Sequence, residues 1–332
     1  MGCFIIAEAG VNHNGKIELA KKLVDEAKKC GADAVKFQTF SAEKLVVKTA
    51  KKAEYQANNT NNNDTQFEML KNLELSRAEF IELKEYCDKK QIMFLTTAFD
   101  FDSFDFIIND LRVELIKIPS GEMTNLPLLE KCARTGLPVL LSTGMAEIHE
   151  IRESINVLNA NNSGAITVLH CSTEYPAPIN EVNLNAMVSL GREFNLPYGY
   201  SDHTLGNLVS FAAAAMGAKV IEKHFTLDKQ MAGPDHAASI EPKELAELVN
   251  GGRIIEASLG DGVKRASVSE KKNINIARKC IVAIKNIGRG EKFTDENIGL
   301  KRAGQGISPM RWYEVIGKKA KRNFSEDEII EI

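Results

Sequence analysis

Short apolar runs rich in Val, Ile, Leu and Phe alternate along the chain with longer stretches whose apolar residues recur every three to four positions. The first pair is Cys3–Ala7 followed by Lys16–Cys30, a strand and a helix that Gly31 closes as C-cap. Seven more strands are predicted at Ala34–Gln38, Ile92–Thr96, Leu115–Ile118, Val139–Leu141, Ile166–His170, Tyr198–Tyr200 and Val220–Glu222. The helical period is found at Ser76–Lys90, Asp102–Asn109, Leu126–Thr135, Ile148–Asn159, Leu184–Glu193, Leu205–Met216 and Pro242–Ser258. Eight strands alternating with eight helices predict an α/β protein built as a (β/α)8 TIM barrel, rather than an open doubly wound sheet.

Two stretches break this rhythm. Ala42–Leu75 is too long for an ordinary connection and carries the polar tract Asn58-Asn59-Thr60-Asn61-Asn62-Asn63-Asp64. At the catalytic end of a barrel such an insertion forms a lid or rim, or a tolerated surface loop. After Ser258, the glycines of Gly260-Asp261-Gly262 and the charges of Lys264–Lys272 read as a linker. Residues 277–332 then give short strands such as Ile281–Ile284, broken by Gly288-Arg289-Gly290 and Gly304-Gln305-Gly306. The predicted layout is a barrel over 1–258, a linker over 259–276 and a small strand-rich domain over 277–332.

Composition narrows the class of function. The 332 residues carry 42 Lys+Arg against 45 Asp+Glu, with 44% hydrophobic residues. That describes a globular protein with a large core, and it excludes disorder and fibre. The near balance leaves no electrostatic footprint for nucleic acid or an anionic membrane, so an anionic ligand has to be held by local charges. The longest apolar helical run, Phe211–Ile221, is far short of the ~20 residues of a membrane span. Met1-Gly2-Cys3 lacks the Ser or Thr that a myristoylation signal needs, since position 6 is Ile. Six scattered cysteines without a C-x-x-C predict reduced thiols and a cytoplasmic location.

In a barrel the chemistry gathers where the strands end. Glu8 stands at the first strand, Lys36 and Gln38 at the second, Thr96-Thr97 at the third, and Lys117 with Ser120-Gly121-Glu122 at the fourth. Ser142-Thr143-Gly144, His170 to Tyr175, Ser201-Asp202-His203 and Lys223-His224 complete the ring. So many polar strand ends predict an enzyme. His203 and His224 end adjacent strands and can share one metal ion, although singly either reads as a hydrogen-bonded core histidine. With oxygen donors filling the shell, Mn²⁺ or Mg²⁺ suits such a pair better than a thiolate-bound Zn²⁺, and Glu8 or Glu122 can join it or pair with a lysine. Lys36, Lys117, Ser142 and Ser201 suit a phosphate or carboxylate; either lysine could instead snorkel to solvent or form a Schiff base. Asp235, in Gly233-Pro234-Asp235-His236, is compatible with turn chemistry alone.

Several ordered motifs carry a family resemblance: Glu8-Ala9-Gly10-Val11-Asn12-His13-Asn14-Gly15, Val35-Lys36-Phe37-Gln38-Thr39, Lys117-Ile118-Pro119-Ser120-Gly121-Glu122, Leu141-Ser142-Thr143-Gly144-Met145, Tyr200-Ser201-Asp202-His203-Thr204 and Glu222-Lys223-His224-Phe225-Thr226. Together they resemble the bacterial sialic acid (nonulosonic acid) synthase family. The tail, with Gly288-Arg289-Gly290-Glu291 and Lys301-Arg302-Ala303-Gly304-Gln305-Gly306, is similar to the antifreeze-like SAF domain, a β-clip, that closes those enzymes.

The resemblance implies condensation of phosphoenolpyruvate with an N-acetylated amino-sugar, giving a nine-carbon 2-keto acid and phosphate. It implies a divalent ion on His203 and His224, Mn²⁺ first with Mg²⁺ or Co²⁺ as alternatives. Lys36, Lys117, Ser120, Ser142 and Ser201 would hold phosphoenolpyruvate, and Gln38, Tyr175, Asp235 and Arg302 the sugar. Arg302 would reach across a domain-swapped homodimer. Glu122 is the candidate for proton transfer and Glu8 for shaping the site near the metal. N-acetylmannosamine, giving N-acetylneuraminate, is the expected sugar. The alternatives are a 2,4-diacetamido-2,4,6-trideoxyhexose, as in a legionaminate or pseudaminate synthase, and a Schiff-base lysine aldolase. Ala303 stands where the family commonly has Pro, and Thr173 where some sialic acid members have Asn.

Overall fold

The computed structural model describes residues 2–60 and 64–332; Met1 and Asn61-Asn62-Asn63 of the polar tract lie outside the described residues. Two compact units divide the chain, Met1–Gly260 and Asp261–Ile332.

The first unit holds eight parallel strands: β1 (Phe4–Gly10), β2 (Ala34–Thr39), β3 (Met93–Ala98), β4 (Ile116–Ile118), β5 (Val139–Ser142), β6 (Ile166–Cys171), β7 (Tyr198–Asp202) and β8 (Val220–His224). Their order, β3-β2-β1-β8-β7-β6-β5-β4, brings β3 and β4 together and curls the sheet into a nearly closed barrel. All eight predicted strands form, each ending one to three residues later than its apolar run, except β4, which ends where predicted. Those extra residues include Glu8, Thr97, Ser142, Ser201 and His224, which line the cavity at the mouth.

Side-chain alternation divides each strand into an inner and an outer face. Outward residues such as Ile5, Ala7, Val35, Phe37, Val139, Leu141 and Ile221 belong to the main core beneath the helices. Inward residues Ile6, Ala34, Leu95, Leu140, Leu169 and Val220, with Phe4 and Leu115 against them, form a separate apolar plug. Gly199 takes the inner position of β7 because a Cβ there would stand 2.4 Å from the Val220 carbonyl oxygen and 2.7 Å from Leu169 Cδ2. The plug seals the barrel below, so two residues further along each strand the inward side chains face an enclosed mouth.

The helices begin where capping chemistry permits. Arg77–Lys90 starts on a capping box between Ser76 and Glu79, and Gln66–Leu73 on one between Thr65 and Glu68. The long insertion after β2 is therefore not a bare loop: it folds into Ala42–Leu45, Glu54–Thr60 and Gln66–Leu73. Met69 and Leu73 of the last helix bury with Val11 and Phe40 in a satellite cluster, against which Leu45, Leu70 and Phe99 pack. Among the described residues no helix is long and apolar enough to cross a membrane.

The second unit pairs β9 (Cys280–Ala283) antiparallel with β10 (Ile298–Lys301). Its core is Ile281, Ala283, Ile287, Phe293, Ile298, Val315, Ala320, Phe324 and Ile330. Across the stretch read as a linker, Ser267 caps a helix, Val268–Ala277, that buries no residue.

Candidate active site

Above the plug the strand ends enclose a cavity of about 230 Å³. Its floor is a chain of opposite charges from four strands. Glu8 on β1 lies 2.7 Å from Lys36 on β2, and Lys36 lies 3.8 Å from Glu222 on β8. Lys117 on β4 donates to Glu222 at 2.9 Å, as does Ser201 on β7 at 3.0 Å. Lys36 also donates to Thr97 at 3.0 Å, and Gln38 to Glu8 at 3.1 Å. All four charged residues are at most 7% exposed. A barrel mouth carries such charges only if each is compensated, and here two ammoniums meet two carboxylates.

The electrostatics follow from this order. Burial alone would depress Lys36, but Glu222 and Glu8 outweigh it and hold the ammonium above the ordinary lysine range. Burial would raise Glu222 too, yet Lys117 and Lys36 together keep it below the ordinary carboxylate range. Glu8, with only part of one lysine, stays above that range because burial prevails over Lys36 and Glu222 lies near. Glu222 escaped the sequence-based list of candidates. Its signal was the alternation Val220, Glu222, His224, which puts it on the same inner face as the plug.

The same alternation corrects four residues counted at the mouth. Thr96, His170, Asp202 and Lys223 have outward parity. Thr96 bonds Thr39 at 2.7 Å, and His170 bonds the Val182 carbonyl oxygen at 2.7 Å. Lys223, 1% exposed, donates to Asp202 at 2.7 Å and to the Thr204 carbonyl oxygen at 2.8 Å. Asp202 also accepts from the Thr204 amide and hydroxyl and from Ser210. This pair clamps the turn that carries His203. Lys223→Met is expected to cost about 3 kcal/mol in urea unfolding, because Asp202 is left buried without its cation, and adding Asp202→Asn should recover part of that loss.

Glu122 does not line the central cavity. It lies past β4 in the short turn Ser120–Glu122, outside the reach of strand parity. Its carboxylate accepts from Asn125 at 2.7 Å and lines a separate cavity with Lys44, Asp102 and Leu128. Ser120 does line the central cavity; its hydroxyl accepts from the Gly144 amide at 2.9 Å and meets Cys171 Sγ at 3.2 Å. The Ser142 hydroxyl is buried in the cavity wall without a protein partner. Arg302 belongs to the second unit, where its side chain is exposed.

His203 and His224 stand together at the rim, with ring centroids 5.4 Å apart. Tyr175 covers both rings, at 4.2 Å from His203 and edge-on at 5.5 Å from His224. His203 Nδ1 bonds the Ser172 carbonyl oxygen, which assigns the proton to Nδ1 and leaves the Nε2 lone pair free. His224 Nδ1 is buried without a hydrogen-bond partner, 3.9 Å from Asp235. Burial pushes His203 down to about 4 and His224 well below its usual range, the latter aided by His203 and Lys36, so both imidazoles are neutral. Burial and then Glu8 raise Asp235 to about 7. Among the described residues no three His, Cys, Asp or Glu side chains converge as a ligand set. Two neutral imidazoles, one orphaned and one fixed by a backbone carbonyl, fit an open divalent site whose remaining positions go to substrate or water.

The cavity therefore joins a floor of paired charges, two neutral histidines and an aromatic cover. The NeuB family model matches residues 23–264, and the SAF domain model residues 278–331. The N,N'-diacetyllegionaminic acid synthase of Campylobacter jejuni is 54% identical over 328 residues, which covers 98% of each chain. The protein of the same name from Legionella pneumophila is 48% identical, covering 98% of this chain and 92% of that one. Among solved structures, N-acetylneuraminic acid (sialic acid) synthetase from Leptospira borgpetersenii serovar Hardjo-bovis, in complex with citrate, superposes with a TM-score of 0.73 at 36% identity, over 82% of this chain and 90% of that one.

Proposed function

For this chain, which belongs to the NeuB family and carries a SAF domain, we propose the activity of an N,N'-diacetyllegionaminate synthase. The class is a phosphoenolpyruvate-dependent nonulosonic acid synthase, a transferase that forms a carbon–carbon bond. The observation that carries the choice of sugar is the agreement of two relatives, at 54% and 48% identity over nearly the whole chain, on that one named activity. This reverses the expected order of substrates: a 2,4-diacetamido-2,4,6-trideoxyhexose comes first and N-acetylmannosamine second.

In the proposed reaction, phosphoenolpyruvate C3 attacks the aldehyde carbon of the open-chain sugar. Water adds to C2, and phosphate leaves by C–O cleavage, so one water is consumed for each phosphate released. Lys36 and Lys117 supply the positive charge for the phosphate and carboxylate, and the unpartnered Ser142 hydroxyl supplies a donor. Binding an anion means that these lysines exchange carboxylate partners for substrate oxygens. With Glu122 outside the cavity lining, we assign the proton to Glu8, whose pKa is held up while that of Glu222 is held down. His203 and His224 would hold Mn²⁺, with Mg²⁺ or Co²⁺ as alternatives. Such an ion, when bound, supplies Lewis acidity toward the aldehyde oxygen. Gln38, Tyr175 and Asp235 face the sugar; the role of Arg302, across a homodimer, rests on the resemblance of the tail. Six free cysteines support a cytoplasmic location. A Schiff-base aldolase fits poorly, because Lys36 is held protonated between two carboxylates and lacks a nucleophilic lone pair.

The test incubates the purified chain with phosphoenolpyruvate, Mn²⁺ and either N-acetylmannosamine or its 2,4-diacetamido-2,4,6-trideoxy analogue. We expect phosphate release and a nine-carbon product at least tenfold faster from the trideoxy sugar. Preference for N-acetylmannosamine would refute the proposal.

A further inference from the structure

The cavity has a second character that the charged floor does not use. One wall is apolar: Val11, Tyr55, Met69, Leu70, Leu73 and Phe99. Four of these six come from the helical insertion after β2. Met69 and Leu73 anchor it through the satellite cluster with Val11 and Phe40, a packing unit separate from the barrel core. Tyr55 lies on the inserted helix Glu54–Thr60, and its ring meets Tyr175 at 5.0 Å. The Tyr55 hydroxyl is engaged by Gln56 Nε2 at 3.2 Å. Asn59 donates to the Pro234 carbonyl oxygen at 2.7 Å, which ties the same helix to the turn carrying Asp235.

We propose that this inserted wall is the specificity element for the far end of the amino-sugar, with Tyr55 and Leu70 receiving methyl groups where other amino-sugars present hydroxyls. The inference rests on the substrate reading above and deepens it. The reacting aldehyde has to lie at the charged floor, so the opposite end of the carbon chain points to the rim. A 4-acetamido-4,6-dideoxy end carries two methyls and lacks the 6-hydroxyl. N-acetylmannosamine offers free 4- and 6-hydroxyls to a largely apolar surface whose one hydroxyl, that of Tyr55, already accepts from Gln56 Nε2. An apolar pocket discriminates by the loss of methyl contact and the desolvation of hydroxyls, which together give selectivity of about 10–100-fold rather than an absolute block. Leu70 and Tyr55 are the informative positions because both are only half-buried, whereas Met69 and Leu73 also hold the cluster together.

The experiment compares kcat/KM for the two sugars in wild type, Leu70→Gln and Tyr55→Ala, alongside the KM for phosphoenolpyruvate and the Tm of each. Each variant is expected to lower the preference for the trideoxy sugar at least tenfold, with the phosphoenolpyruvate KM and Tm close to wild type. A wild-type preference for the trideoxy sugar that survives both variants would overturn the wall alone. A wild-type preference for N-acetylmannosamine would overturn the substrate reading and the wall with it.

Discussion

Replacing Lys36 with Met is expected to lower kcat/KM for phosphoenolpyruvate by about 10³-fold or more, the scale reached when a charge-assisted contact to a reacting anion is removed from a desolvated site. The same change should also destabilise the fold, because this ammonium is 2.7 Å from Glu8 and 3.8 Å from Glu222, all three side chains being buried. Without it Glu8 loses its ion-pair partner and Glu222 is left with Lys117, so either a carboxylate takes up a proton or the fold bears the repulsion, at a cost of about 2–3 kcal/mol. These two losses have separate remedies. Adding Glu8→Gln removes the uncompensated carboxylate, so the double variant should regain most of its resistance to urea while phosphate release stays at or below the Lys36→Met level, since Glu8 also handles the proton. Initial rates and urea unfolding on the four proteins of the cycle decide the matter. Recovery of both properties in the double variant would mean that Lys36 serves the fold and not the anion, and that Glu8 does not carry the proton.

The neutrality of the floor explains why so polar a mouth was only partly legible in the sequence. Alternating apolar runs revealed all eight strands, since the plug and the outer core both demand branched apolar side chains at fixed parity. Strand ends were placed early because Glu8, Thr39, Ser142, Ser201 and Lys223 interrupt the apolar run while the strands continue. Position along the chain identified residues near the mouth, whereas parity decides which of them enter it. Parity admits Glu222 and turns out Lys223, although the two are neighbours in sequence. Glu122 fell to a different cause: it follows the strand in a short helical turn, where a period of two no longer applies and Asn125 claims its carboxylate. The apolar wall had no local signal, since Tyr55 acquires its meaning only from Tyr175, which the fold brings 5.0 Å away.

His203→Ala and His224→Ala are each expected to reduce turnover by about 10³-fold and Mn²⁺ affinity by at least 100-fold, since either change leaves a single imidazole where the described residues offer no third ligand. The proposed ion would meet two imidazoles already suited to it. The Ser172 carbonyl fixes the His203 tautomer, His224 Nδ1 has no hydrogen-bond partner, and burial keeps both rings free of the extra proton that a metal would have to displace. Calorimetric titration of chelator-treated protein should show one Mn²⁺ per chain in wild type and none of comparable affinity in either variant. Lys36→Met, which alters the floor and leaves both imidazoles in place, should bind the ion as wild type does while remaining inactive. Treatment with EDTA should abolish turnover, and added Mn²⁺ should restore it only where both histidines are present. Undiminished phosphate release by thoroughly chelated wild type, or wild-type Mn²⁺ affinity in His203→Ala, would remove the metal from the proposal and leave the two histidines as sugar contacts beneath Tyr175.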